Sequence, residues 1–205
     1  MLKIVIYLIF LQIPFQGFAF PKVSSVFVKI INSSTDIKMK NIRKDVSRAV
    51  KVFRETCDVE FSFTIELDTT YPFSGRYDYL AKEIDFMRNP DEILVVYGGQ
   101  YDGGILPGIS IATAFPNWAP FWSRDRNQED YISLLNTVWL EFNEVRKYQK
   151  KSKYKRSSLA HELGHIFGLK HVNIPQNLMN EGTNPLSGSK LNKGQCETVR
   201  LFFNN

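Results

Sequence analysis

The chain's three histidines all fall within one run, His161-Glu162-Leu163-Gly164-His165-Ile166-Phe167-Gly168-Leu169-Lys170-His171. On a helix, positions four apart share a face, so His161 and His165 present their imidazoles to one point. Gly168 stands where such a helix has to end, because glycine takes up the left-handed conformation that reverses the chain without a Cβ penalty. The reversal returns His171 toward the other two. Three neutral imidazoles make a zinc donor set, and three protein ligands leave one position for water, whereas a structural zinc is closed by four. Glu162, beside the first ligand, is placed to take a proton from that water. The pattern predicts a catalytic metal site with His161, His165 and His171 as ligands and Glu162 as general base.

The motif resembles that of the metzincins, zinc-dependent endopeptidases marked by HExxHxxGxxH and a methionine turn. Asn177-Leu178-Met179-Asn180 supplies the methionine eight positions after His171. That spacing is similar to the matrixin branch, and the resemblance implies Met179 as an apolar floor beneath the metal. It also implies an α+β, zincin-like fold with a mixed, twisted, mostly parallel sheet, an antiparallel edge strand, an active-site helix and a small C-terminal lobe after Gly168. In matrixins the edge strand lies above the zinc and pairs with an extended substrate. The stretch from Asp102 to Pro116 is similar to it, which nominates Ile109, Ser110, Ile111 and Ala112 as the strand a protein or peptide substrate joins through backbone hydrogen bonds. Thr113 stands where a matrixin places a histidine for a second zinc, so one zinc is expected. Val172 follows the third histidine where better-known branches have Ser, Asp, Glu or Pro, and no tyrosine closely follows Met179. The branch, matrixin-like or reprolysin-like, therefore stays open, as does any calcium requirement.

The elements that must position the motif are legible as periodicities. Val23 to Ile31 is nearly all apolar, as in a strand covered on both faces. Asn32 to Asp36 is rich in helix-capping types, and Met39, Ile42, Val46, Ala49, Val50 and Phe53 then recur at helical spacing up to Cys57. Val59, Phe61, Phe63, Ile65 and Leu67 alternate with polar residues, the period of a half-buried strand. Strand, helix, strand favours a parallel pair joined by a crossover. Asp68 to Pro90 reads as a surface excursion with a short helix over Tyr79 to Met87. Further strands are expected at Ile93–Tyr97, Ile109–Phe115 and Tyr131–Val138. The glycine-rich Asp102 to Gly108 lacks the lysine and following helix of a phosphate-binding loop. Ser157 or Ser158 caps the motif helix. Asn192, with Gln195 three residues on, forms a capping-box start for a last helix that carries Cys196, Val199 and Phe203 on one face.

The first residues are of another kind. Lys3 precedes the apolar run Ile4 to Phe10, and Gly17-Phe18-Ala19 offers a small-residue cleavage site, so residues 1–19 read as a signal peptide, with an uncleaved anchor as the alternative. Residues 20–205 then form one catalytic domain, an upper lobe to about 168 and a lower lobe over 169–205, without a stable membrane anchor. The composition is mildly basic, with 26 Lys and Arg against 21 Asp and Glu, which singles out no polyanionic partner. Seven basic residues lie between Arg146 and Arg156; such runs are usually solvated faces, and no nucleic acid is expected. Cys57 and Cys196, an even pair in an exported chain, read as a disulfide, with two buried free thiols as the alternative.

Together these readings predict a secreted or periplasmic monomeric zinc endopeptidase. Two alternatives stand beside it: an inactive exported zinc-binding protein, and an amidase or peptidase acting on cell-wall peptides.

Overall fold

The computed structural model of the chain describes residues 27–32, 38–66, 92–98, 112–115, 136–141, 157–180 and 188–204. Five strands form one sheet: β1 (Phe27–Asn32), β2 (Ser62–Glu66), β3 (Ile93–Gly98), β4 (Ala112–Phe115) and β5 (Thr137–Glu141). Their order is β2-β1-β3-β5-β4. The first four in that order run parallel, and β4 alone is antiparallel, closing one edge against β5. Among the described residues, three helices accompany them: α1 (Met39–Cys57), α2 (Ser158–Ile166) and α3 (Lys193–Asn204). The fold is thus a mixed α+β arrangement around a small, mainly parallel sheet. None of the described helices is long and apolar enough to cross a membrane.

Burial explains the register. Every residue of β3 is buried, as expected for a strand inside a sheet covered on both faces. Ile93, Val95 and Tyr97, with Val138 and Leu140 of β5, join Ile42, Val46, Ala49 and Phe53 of α1 and Leu159, Leu163 and Ile166 of α2 in one core. The apolar stripe of α1 is what packs the helix there, since its exposed face is mostly Lys and Arg. Asp45 is the polar exception on that stripe; it accepts a 3.0 Å hydrogen bond from Tyr97 Oη inside the core. Burial first, then the neighbouring Asp45 charge and the hydrogen bond to it, hold the Tyr97 phenol well above its ordinary pKa of 10.0.

Strand boundaries differ from the sequence reading, and β2, expected from Val59, begins at Ser62. The last strand was expected over Tyr131–Val138, but pairing with β3 runs from Leu94↔Thr137 to Gly98↔Glu141. Asn136, at φ 59°, turns the chain into the left-handed region just before β5, so an extended strand cannot run through it. α1 begins after Lys38, which supplies no side-chain cap. Of the expected capping run Asn32 to Asp36, Asn32 ends β1 and the rest lies outside the described residues, as do the short helix over 79–87, the signal segment and the basic run over 146–156.

Candidate metal centre

α2 delivers the first two histidines. Ser157 caps it, its hydroxyl accepting from Ala160 N at 3.2 Å, which satisfies one of the amides a helix start leaves open. The helix ends in a Schellman turn: Leu169 N donates to Gly164 O at 2.8 Å and Gly168 N to His165 O at 3.1 Å. Gly168 sits at φ +93°, where a Cβ is strained. Phe167, just before the reversal, is locked among Phe53, Phe61 and Phe203 with ring centroids 5.0–5.7 Å apart. The helix end is therefore fixed from inside the core, and the chain leaves it toward His171.

The three imidazoles converge. His171 Nε2 lies 3.1 Å from His161 Nε2 and 3.0 Å from His165 Nε2. Among the described residues they form one group of three side chains able to hold a metal. Two tautomers follow from the backbone. His161 Nδ1 lies 2.7 Å from Leu178 O, and His165 Nδ1 lies 2.8 Å from Leu169 O. A carbonyl only accepts, so each Nδ1 carries the proton and each Nε2 presents a lone pair. His171 Nε2 faces both lone pairs at once, and a single N–H can satisfy one of them at most. A cation at their meeting point satisfies all three, which is the donor chemistry of a tri-histidine metal site.

Met179 packs against the motif helix at Gly164. A Cβ built on Gly164 falls 2.6 Å from Met179 Sδ and 3.5 Å from Leu169 Cδ1, so the glycine in the motif helix is the space the methionine fills. Met179 is fully buried. The loop that carries it is closed by Val172 N donating to Met179 O at 2.9 Å and by Asn180 Nδ2 donating to Ile174 O at 2.9 Å. Glu162 is buried on α2, one residue after the first histidine.

The remaining predicted positions are spread more widely. Ala112 opens β4, paired with Leu140, and Thr113 pairs with Trp139; β4 is the sheet edge and packs beside α2. Ile109, Ser110 and Ile111 lie outside the described residues. Cys57, at the end of α1, and Cys196, in α3, are joined in a disulfide.

Gly164 and the pair Asn177–Gln195 were missed as site residues from sequence. A glycine inside a helical pattern was the available signal for the first, since only a close approach compensates its lower helix propensity. Gln195 was legible as a helix cap, and the structure shows that cap: Asn192 N donates to Gln195 Oε1 at 3.0 Å and Gln195 N to Asn192 Oδ1 at 2.9 Å.

Comparison with protein-family profiles finds no match, and comparison with curated protein sequences finds none. Comparison of folds does. Archaemetzincin from Methanopyrus kandleri superposes with a TM-score of 0.58 at 14% identity, over 90% of this chain and 99% of that one. Metalloproteinase-II from Bacteroides fragilis superposes with a TM-score of 0.51 at 13% identity, over 88% of this chain. This chain spans 54% of the length of the Bacteroides protein. The fold is that of these metalloproteinases.

Proposed function

We propose that the chain is a zinc-dependent endopeptidase of the metzincin type, exported and working as a monomer with one zinc. The observation that carries this reading is the convergence of three histidine Nε2 atoms, with the Nδ1 protons of His161 and His165 held on backbone carbonyls. The fold it shares with two metalloproteinases supports it. The finer resemblance to the matrixin branch rests on the spacing from His171 to Met179.

His161, His165 and His171 would hold the metal. Bound there, zinc supplies Lewis-acid polarisation of a peptide carbonyl and acidifies water. Glu162 takes the water's proton and returns it to the departing amine; its burial on α2 strengthens any hydrogen bond it makes there. β4, antiparallel and at the sheet edge beside α2, would orient a peptide as an added strand, with Ala112 to Phe115 and the residues just before them as its partner. The lower lobe expected over 169–205 would form the other wall. Export would remove the signal segment, and the Cys57–Cys196 disulfide fits an oxidising compartment outside the cytoplasm.

The experiment is metal analysis and proteolysis of purified protein with and without Glu162→Gln. The expected result is one zinc per chain in both proteins, with cleavage of a casein-type substrate falling by about two to four orders of magnitude in the variant. Comparable turnover by Glu162→Gln sinks the mechanism, and two zincs per chain overturns the reading of Thr113.

A further inference from the structure

His161 is held by more than its own helix. Its Nδ1–H donates to Leu178 O at 2.7 Å, and that carbonyl belongs to the same peptide unit as the Met179 N–H. On the opposite side of this peptide, Met179 N donates to Asn177 Oδ1 at 2.8 Å, an Asx turn closed around Leu178. The Asn177 amide is in turn clasped by the Gln195 amide in a reciprocal pair, Asn177 Nδ2 to Gln195 Oε1 at 2.8 Å and Gln195 Nε2 to Asn177 Oδ1 at 3.2 Å. Gln195, Asn177, Leu178 and His161 are all buried. Gln195 is itself fixed twice, by the cap it shares with Asn192 and by the neighbouring Cys196, whose disulfide ties α3 to the end of α1.

We propose that Asn177 and Gln195 are positioning residues for the metal centre, acting on His161 through the Leu178–Met179 peptide. Geometrically, the clasp fixes the plane of that peptide and so the direction in which the imidazole must point. Electronically, an amide that donates its N–H carries more negative charge on its carbonyl. Donation by Met179 N–H to Asn177 therefore makes Leu178 O a stronger acceptor for His161 Nδ1–H. A stronger acceptor at Nδ1 raises the basicity of Nε2, the atom that faces the other two histidines. The low dielectric of the site preserves this chain of polarisation. The same side chain, Gln195, thus couples the start of α3 to one ligand. The inference rests on the three histidines being metal ligands, and it adds to that reading a residue from the last helix.

The test compares purified wild-type chain with Gln195→Met and Gln195→Ala, both of which delete the clasp, and with Asn192→Ala, which weakens the α3 cap but leaves the clasp atoms in place. Three quantities are read for each: the zinc dissociation constant by competition with a chromophoric chelator, the visible absorption of the cobalt(II)-loaded protein, and the melting temperature of the metal-free protein. The expected result is zinc binding weakened about 10-fold in the Gln195 variants, the low end of the range for loss of outer-shell partners because the His161–Leu178 hydrogen bond itself remains, with shifted cobalt bands. Asn192→Ala should lower the metal-free melting temperature and leave zinc affinity within about twofold of wild type. Two results overturn the proposal: a folded Gln195 variant that binds zinc as wild type does, or Asn192→Ala losing as much zinc affinity as Gln195→Met. A wild-type chain that binds no zinc removes the proposed function itself, whereas a zinc-binding, proteolytic wild type with unchanged Gln195 variants removes the clasp alone.

Discussion

At Gly164, inside the motif helix, any side chain would meet Met179. On an open helix surface, Gly→Ala stabilises by about 1 kcal/mol through the unfolded state and the helix propensity. Here the new Cβ falls 2.6 Å from Met179 Sδ, so the thioether or the helix has to shift. Overpacking of this kind costs about 1–3 kcal/mol. We expect Gly164→Ala to destabilise the protein in urea unfolding, and the sign to reverse in a Met179→Ala background, where the space is open. A penalty that persists without the methionine would show that Gly164 answers to something other than Met179. Gly168 is a different case: its φ of +93° makes substitution a matter of backbone strain, whatever lies nearby.

At the scale of elements, the Ser157 cap and the Asp45–Tyr97 bridge give two expectations. Ser157→Ala removes the acceptor for Ala160 N at the start of α2 and should cost about 1 kcal/mol, read by urea unfolding. Tyr97 joins β3 to α1, and its raised folded pKa gives a sign to the alkaline limb of stability. An unfolded tyrosine ionises near pH 10 while Tyr97 stays protonated in the folded core, so its contribution is intact below pH 10 and falls as pH rises beyond it. Wild type should lose stability relative to Tyr97→Phe above pH 10, with a limiting slope of about 1.4 kcal/mol per pH unit; parallel curves for the two proteins would contradict this. These elements also show what was legible beforehand. α1 could be read because its apolar residues recur every three or four positions, and the strand pattern of Phe61, Phe63 and Ile65 because a period of two has no helical explanation. The start of β5 could not, since the apolar run continues through Leu134 and Leu135 and the break is a single left-handed Asn136. Nor was Asp45 legible as buried, because its partner Tyr97 lies 52 residues away and only the α1–β3 packing brings them together.

At the scale of the molecule, the end of α1 and the last helix, α3, are fastened by the Cys57–Cys196 disulfide, whose cysteines are 139 residues apart in sequence. Around it, Arg200 Nε donates to Cys57 O at 2.9 Å, and Phe203 of α3 stacks with Phe61 at 5.8 Å. α3 is therefore held to α1 by packing as well as by the covalent link, and loss of the link alone should leave a folded protein. In the chain-entropy account, a loop of this size lowers the freedom of the unfolded chain by about 4–5 kcal/mol at 25 °C. A Cys57→Ser, Cys196→Ser double variant should accordingly unfold at markedly lower urea concentration, and intact wild-type mass should rise by about 2 Da on reduction, one hydrogen per sulfur. Its zinc content should stay at that of wild type, because a disulfide sulfur is not the thiolate that a metal takes as a ligand. The metal outcome separates two pictures of the molecule. If the double variant stays folded and loses its zinc outright, rather than binding it more weakly as the Gln195 variants do, a cysteine belongs to the metal site, the donor set becomes that of a closed structural centre, and the catalytic reading of His161, His165 and His171 falls with it.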